Sequence, residues 1–241
     1  MQIEQSEVMI AAPDGQMTAF LCTPVGLECV PAILLLMEAF GLTSHIREVA
    51  ARIAEEGYVV LVPDLYYREP NSNFNYDEVE QAMATMWRLD FGKPMEEDIK
   101  AALSYLKSRS HVNPKRIGVT GFCLGGGLTF LTACKFSAEI AVAASFYGMV
   151  LDEWITAVEN VSVPVYLFFG GVDPFIGRDR IHQIESRFQE LGKAYTLKVY
   201  PDAEHGFFCH ERSSYNRLAA EDSWRELMHF FRKHLWKTAI E

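Results

Sequence analysis

Hydrophobic residues in this chain occur in short, nearly continuous runs, separated by stretches in which apolar positions recur every three or four residues. The runs at residues 30–37 and 58–62 contain almost no polar residue. Such a run is typical of a strand that is covered on both faces, as in a parallel sheet. The further predicted strands are residues 116–120, 140–147, 164–169 and 195–200, of which the last alternates enough to lie at an outer position.

The periodic stretches between these runs predict helices. Residues 94–108 are the clearest case, because Pro94 stands in the first turn and the apolar residues share one face. Residues 66–75 contain a proline and three asparagines and predict a loop. The other predicted helices are residues 43–57, 76–89, 128–133, 178–191 and 215–235.

The order of these elements predicts the fold. Residues 8–12 and 17–22 flank an Asp-Gly turn, which indicates an antiparallel hairpin. Strands and helices alternate after it, without a repeat, a low-complexity tract or a linker. We therefore expect a single α/β domain over residues 1–241, an α/β-hydrolase fold with a mostly parallel central sheet, helices on both faces and a short N-terminal antiparallel hairpin.

Charge and cysteine content narrow the possible partners. The chain has 22 Lys and Arg against 32 Asp and Glu, a net charge of -10, which disfavours nucleic acid and anionic membranes because phosphate contacts need clustered cations. Neither a secretory signal nor a membrane-length apolar run is visible. The odd number of cysteines without CxxC spacing predicts free thiols, a cytoplasmic location and no zinc site; they are Cys22, Cys29, Cys123, Cys134 and Cys209.

A glycine-rich segment, Gly-Phe-Cys-Leu-Gly-Gly at residues 121–126, follows the predicted strand at 116–120. A strand that turns sharply into a helix through G-x-nucleophile-x-G is a nucleophile elbow. Cys123 stands at its centre, where the helix N-terminus favours an anion and makes a thiol easier to ionise. A glycine-rich turn is equally typical of a phosphate cradle, and a buried cysteine is commonly an inert small hydrophobe. The context decides between these interpretations.

Four polar residues follow predicted strands, at the strand ends where open α/β sheets place their functional groups. Cys123, Asp173 and His205 occur in the order nucleophile, acid, histidine, which is the order of α/β-hydrolases. We expect Cys123 to attack an acyl carbon, His205 to transfer the proton and Asp173 to orient the imidazole. The backbone N–H of Leu124, with one near Ala39, would hold the oxyanion.

Each assignment has a plainer alternative. His205 alone is compatible with a surface loop, and Asp173 before a proline with a simple turn. Glu38 is harder to explain structurally, because it ends a wholly apolar strand and an unpaired buried carboxylate is costly. The remaining histidines are interpreted as surface or structural residues; they are His45, His111, His182, His210, His229 and His234.

The chain resembles the dienelactone hydrolase family of α/β-hydrolases over nearly its whole length. The motifs that carry the resemblance are residues 37–41 (MEAFG), 62–66 (VPDLY), 121–126 (GFCLGG), 170–174 (GGVDP) and 205–207 (HGF). The resemblance implies a cysteine hydrolase with the triad Cys123, Asp173 and His205. It also implies that Glu38 contacts the resting thiol and helps to activate it, and that the N–H groups of Ala39 and Leu124 form the oxyanion hole.

Two departures from the family pattern concern the substrate. Members that cleave dienelactone carry an arginine a few residues past the histidine, where this chain has Cys209. They also carry an arginine and a tyrosine at positions that correspond to Val79 and Met83 here. Loss of these groups removes charge-assisted hydrogen bonds to a carboxylate. The resemblance therefore favours a neutral or more apolar ester, lactone or thioester, with Arg68 or Arg212 as possible replacement anion contacts.

The function predicted from these residues is hydrolysis of a small ester or lactone through an acyl-cysteine, by a carboxylic ester hydrolase of the carboxymethylenebutenolidase type. Phe40 and Arg68 are its candidate substrate-binding residues, and neither a metal nor an organic cofactor is indicated. The alternatives are a thioesterase or acyl transferase with the same triad, and a ligand-binding or redox-sensing protein that uses Cys123 as a sensor. We expect a monomer or weak homo-oligomer.

Overall fold

The computed structural model describes residues 1–236, and residues 237–241, the last of the predicted domain, lie outside the described residues. The chain divides into two compact units, Met1–Ile117 and Gly118–Glu241. That residues 1–241 form a single domain stays a prediction.

The N-terminal unit begins with a long hairpin. Every residue of β1 pairs with β2, from Ile3 opposite Pro24 to Ala12 opposite Gly15, and β2 also pairs antiparallel with β4. Strand β3 pairs parallel with β4 and is buried along its whole length, as its uninterrupted apolar sequence predicts. The elements are β1 (Ile3–Ala12), β2 (Gly15–Pro24), β3 (Val30–Leu36), α1 (Ser44–Glu55), β4 (Val59–Pro63), α2 (Val79–Met86) and α3 (Lys93–Ser108).

The C-terminal unit is wholly parallel in its strand pairing. The last five residues of β5 pair with β6, β6 pairs with β7, and β7 pairs with β8. The elements are β5 (Val112–Phe122), whose first part belongs to the N-terminal unit, α4 (Leu124–Lys135), β6 (Val142–Phe146), α5 (Asp152–Thr156), β7 (Val165–Gly170), α6 (Arg178–Glu190), β8 (Tyr195–Tyr200) and α7 (Arg217–Leu235).

The predicted α/β class, with mostly parallel pairing and an N-terminal antiparallel hairpin, is confirmed. Several boundaries differ. Strand β1 begins at Ile3 rather than at residue 8, because its early residues are exposed and carry no apolar signal. Helix α4 begins at Leu124 rather than at residue 128, because the three glycines at its start are helical although glycine is a poor helix former. The short helix α5 was not predicted. Within residues 1–236, no helix is long and apolar enough to cross a membrane.

Helix α4 packs unusually closely against the end of β6 and the residues that follow it. A Cβ on Gly126 would overlap the carbonyl oxygen of Phe146, and one on Gly127 would overlap that of Met149. Residues 124–134 of α4 are all buried, so the helix is covered on every side. The glycines of the motif are therefore needed for packing as well as for the turn.

We expect Gly126→Ala to lower the free energy of unfolding by about 3 kcal/mol, because the added methyl group meets backbone atoms that have no room to move. Urea unfolding followed by circular dichroism measures the change.

The matched control is Gly177→Ala at the N-cap of α6, where nothing lies within 4 Å of the added carbon. It is expected to cost less than about 1 kcal/mol. Equal losses in the two variants would contradict the close approach of α4.

Candidate active site

Cys123 occupies the bend between β5 and α4. Its backbone has φ 56° and ψ -115°, a conformation that non-glycine residues rarely adopt. The Cys123 N–H donates to the carbonyl of Phe146 (3.1 Å), and its own carbonyl accepts from Gly127 (3.1 Å), so the bend is held on both sides. The side chain is half-buried at the N-terminus of α4. Such a conformation is typical of a nucleophile elbow.

The loops after β7 and β8 bring Asp173 and His205 together. Two backbone hydrogen bonds join these loops, from Gly171 N–H to Tyr200 (2.7 Å) and from Val172 N–H to Ala203 (3.1 Å). The His205 Nδ1 then lies 2.8 Å from Asp173 Oδ2. The histidine is buried and the Asp173 side chain is fully buried.

Asp173 is fixed by more than the imidazole. Its Oδ1 accepts from the N–H groups of Phe175 (2.8 Å) and Ile176 (3.1 Å), while Oδ2 accepts from His205. With both oxygens engaged, the carboxylate cannot rotate without losing a hydrogen bond. An ionised carboxylate only accepts, so Nδ1 of His205 carries the proton and Nε2 is left for another partner.

The electrostatics of His205 follow from its two neighbours. Burial opposes the charged imidazolium, but the charge of Cys123, the hydrogen bonds to Asp173 and Cys123 and the charge of Asp173 together outweigh it, and the pKa of His205 rises to about 10. The direction is that of an imidazolium stabilised by neighbouring negative charge. The C-terminal unit therefore holds His205 against Asp173 by a hydrogen bond and within electrostatic reach of Cys123.

Leu124 supplies an N–H group at the first position of α4. The first four N–H groups of a helix have no acceptor within the helix, and the N-terminus attracts negative charge. Leu124 directly follows Cys123, so its N–H lies next to Cys123 at the start of α4. This placement suits the predicted oxyanion contact.

The N-terminal unit places Glu38, Ala39 and Phe40 in one tight turn after β3. Glu38 is fully buried, and its Oε2 accepts from the hydroxyl of Tyr76 (2.8 Å). The carbonyl of Ala39 accepts from the hydroxyl of Tyr66 (2.8 Å), and the ring of Phe40 lies 4.8 Å from that of Tyr76. The turn is thus rigid, which is what a positioned backbone N–H at Ala39 would need.

Arg68 forms ion pairs with protein carboxylates. Its guanidinium donates to Asp98 through Nη1 (2.5 Å) and Nη2 (3.0 Å), and to Asp14 through Nε (2.9 Å). Asp98 is fully buried, and the guanidinium also lies 4.2 Å from the centre of the Tyr67 ring. These contacts give Arg68 a structural role, and its role in substrate binding stays a prediction.

Arg212, the other possible replacement, lies beside the loop that carries His205. A Cβ on Gly206 would overlap its Nη1, so the guanidinium rests directly on the residue after His205. Arg212 is therefore the better candidate for binding a substrate anion, because it lies against the residue after His205, whereas Arg68 is paired with Asp14 and Asp98.

Two aromatic residues that pack on His205 were not predicted as site residues. The ring of Tyr147 lies 5.0 Å from the imidazole and that of Phe175 lies 5.2 Å away, both edge-on. Tyr147 follows β6 with φ 36° and is fully buried, whereas Phe175 is largely exposed. Their positions in the sequence were an available signal, because Tyr147 ends the predicted strand at residues 140–147 and Phe175 comes six residues after the predicted strand at residues 164–169.

The fold and this bend define the class of protein. The crystal structure of a putative dienelactone hydrolase from Klebsiella pneumoniae superposes with a TM-score of 0.89 over 97% of this chain and 100% of that chain, at 24% identity. At that identity the likeness establishes the fold alone, which is the α/β-hydrolase fold. The sequence profile of the Dienelactone hydrolase family matches residues 17–235. The chain belongs to the dienelactone hydrolase family.

Relatives of known name cover almost the same length. A putative carboxymethylenebutenolidase of Synechocystis is 32% identical over 243 residues, with 97% of this chain and 98% of the relative covered. A probable 2-oxo-3-(5-oxofuran-2-ylidene)propanoate lactonase of Bradyrhizobium is 30% identical over 227 residues, with 90% and 89% covered. The predicted family and the predicted class, a hydrolase of the dienelactone hydrolase type, are confirmed.

We expect Cys123→Ser to lower the pKa of His205, because a neutral hydroxyl replaces the charge that stabilises the imidazolium. Asp173→Asn acts in the same direction. The measurement is a titration of the ¹⁵N-labelled imidazole by NMR. Because folding raises this pKa, the contribution of His205 to the free energy of unfolding is complete below its ordinary value of 6.5 and is lost as the pH rises toward about 10.

Cys134→Ser is the control, since Cys134 is also buried in the C-terminal unit but bonds to the carbonyl of Trp154 instead of His205. The proposed pairing is wrong if Cys123→Ser and Cys134→Ser leave the same His205 titration as the wild type.

Proposed function

We propose that this protein is a cysteine hydrolase that cleaves a small ester or lactone through an acyl-cysteine intermediate. One observation carries the proposal: the buried His205 is hydrogen-bonded to Asp173 on one side and interacts with Cys123 on the other. A nucleophile, a base and a group that orients the base are the three parts that acyl transfer requires.

Acylation begins with attack of the Cys123 sulfur on the acyl carbon. The carbonyl oxygen becomes an oxyanion, which the N–H of Leu124 stabilises at the start of α4. As the tetrahedral intermediate collapses, the bond from carbon to the leaving oxygen breaks, and the imidazolium of His205 protonates that oxygen. Asp173 stabilises the charged ring and keeps Nε2 directed at the reacting atoms.

Deacylation uses the same groups in reverse. Neutral His205 takes a proton from a water molecule, which attacks the thioester carbon, and the sulfur of Cys123 leaves as a thiolate. That thiolate restores the pair with the imidazolium. If a thiol or an amine replaced water as the acceptor, the same steps would make the enzyme an acyl transferase, and a thioester substrate would make it a thioesterase.

Glu38 and Ala39 enter the proposal through the family resemblance. In that pattern Glu38 takes part in activating the thiol, and the Ala39 N–H completes the oxyanion hole. The rigid turn that holds both residues supports these roles, because an oxyanion donor must be fixed in advance.

The substrate class follows from the relatives and from one departure. The names carboxymethylenebutenolidase and lactonase belong to relatives, and they support an ester or lactone bond as the target here. Cys209, which stands where dienelactone-cleaving members carry an arginine, is fully buried and has no positive charge to offer. We propose a neutral or largely apolar substrate.

We expect mass spectrometry of the protein mixed with p-nitrophenyl acetate to detect an acetyl group on Cys123. His205→Ala should retain the adduct longer than the wild type, because the base that activates the attacking water is missing. Cys123→Ala should lose the adduct entirely.

Cys134→Ala serves as the control and should behave as the wild type, because this cysteine is buried and burial raises the pKa of its thiol to about 12. A wild-type protein that oxidises at Cys123 under air but never acquires an acetyl group would favour the redox-sensing alternative instead.

We expect Arg212→Gln to lower kcat/KM for a carboxylate-bearing ester about tenfold and that for its neutral methyl ester less than twofold. A charge-assisted hydrogen bond to an anion is worth about 1.5–3 kcal/mol, and only the first substrate can form it. Initial rates on the two esters provide the measurement.

Arg68→Gln is the comparison variant. Because it leaves the buried Asp98 without its ion pair, it should lower the free energy of unfolding and affect the two esters equally. If neither variant changes the ratio between the esters, both arginines cease to be candidates for anion binding.

A further inference from the structure

Phe175 is a large aromatic residue whose side chain faces solvent beside the proposed site. It is 71% exposed, and Val172 on the same loop is 53% exposed. Single exposed apolar residues are common and need no explanation. Phe175 differs from an ordinary exposed residue because its ring lies 5.2 Å from the imidazole of His205, at an interplanar angle of 80°.

The backbone of Phe175 is fixed by a hydrogen bond to Asp173, and the same hydrogen bond helps to orient the Asp173 carboxylate. Its N–H donates to Asp173 Oδ1 at 2.8 Å, and the next N–H, of Ile176, donates to the same oxygen. The turn that fixes the Asp173 carboxylate therefore also fixes the backbone position from which the Phe175 ring projects. The ring is a preformed feature of the site rather than part of a free loop.

The proposed mechanism indicates which part of the substrate lies near the Phe175 ring. When the bond from the acyl carbon to the leaving oxygen breaks, the electron pair stays on that oxygen, and a proton from His205 joins it. The leaving oxygen must then lie within hydrogen-bond distance of the imidazole. The carbon atoms attached to that oxygen consequently lie near the groups that pack on the imidazole.

Of the two aromatic rings on the imidazole, only one is accessible. Tyr147 is fully buried, so its ring supports the imidazole from inside. Phe175 is open to a ligand and offers an apolar surface at the position where the leaving group departs.

We propose that Phe175 forms the wall of a leaving-group subsite, which selects esters and lactones whose alcohol portion is apolar or aromatic. This inference rests on the proposed function, because it takes the direction of departure from the role of His205. The face of an aromatic ring gains most from contact with a second ring or a flat hydrocarbon group.

The test compares benzyl acetate with ethyl acetate, which share the acyl group and differ mainly in the size and aromatic character of the alcohol. We expect Phe175→Ala to lower kcat/KM about fivefold or more for benzyl acetate and less than twofold for ethyl acetate. Phe175→Leu should fall between, because it retains apolar surface without the ring. The quantity kcat/KM is suited to the question because it reports acylation, the step in which the alcohol leaves.

Leu218→Ala is the matched control, since Leu218 on α7 is also 71% exposed. It should leave both rates unchanged. Equal losses for the two esters in Phe175→Ala would overturn the inference, since the ring would then support the imidazole without contacting the leaving group.

A binding experiment keeps the inference testable apart from turnover. Saturation-transfer NMR should detect benzyl alcohol bound to Cys123→Ala protein, and the signal should be lost in the double variant with Phe175→Ala. Absence of the signal, or its persistence in the double variant, would contradict the subsite. Retained esterase activity in Cys123→Ala would instead contradict the proposed function, so the two failures are distinguishable.

Discussion

The close contact between the start of helix α4 and the end of strand β6 is the constraint on which the site depends. Only glycine fits at positions 126 and 127, because the carbonyl oxygens of Phe146 and Met149 occupy the space of a side chain. The chain can leave β5 and enter α4 at that distance only through one sharp bend. Cys123 occupies the bend and adopts a strained backbone conformation with a positive φ, which is costly for a residue other than glycine. The position of the sulfur is thus a consequence of packing.

The second requirement is that the partners of the sulfur reach it from distant parts of the chain. Asp173 and His205 lie on loops that follow neighbouring parallel strands, and backbone hydrogen bonds between the loops hold them in register. Both side chains are buried, where unpaired charges would be costly, so each stabilises the ionised form of the other. The hydrogen bond that orients the imidazole is therefore also the contact that makes the burial of both side chains tolerable.

The sequence permits prediction of those parts of the site that follow buried parallel strands. The positions of Cys123 and Asp173 could be predicted because each closely follows a buried apolar strand, and that of His205 because it lies in the loop after the outer strand at residues 195–200. The 2.8 Å hydrogen bond between Asp173 and His205 agrees with that reasoning. Their catalytic roles stay predictions. The ion pairs of Arg68 could not be foreseen, since Asp98 and Asp14 are 30 and 54 residues away in the chain. A hint existed in Asp98, a carboxylate on the buried face of α3. The importance of Phe175 was hidden for a related reason, because no local pattern shows which side chain will lie on an imidazole.

Cys209 lies in a buried, apolar part of the loop after His205. Phe207, Phe208 and Cys209 are all buried, and the Cys209 N–H closes a turn on the carbonyl of Gly206 (3.0 Å). The side chain of an arginine at position 209 would therefore start in the protein interior, where its charge would have to pair with a carboxylate or extend to solvent. The chain instead carries its next arginine at position 212, with the guanidinium resting on Gly206. Because the interior of this loop is apolar and its exposed neighbour is Phe175, the surroundings of His205 support the proposal of a substrate that presents hydrocarbon to the imidazole.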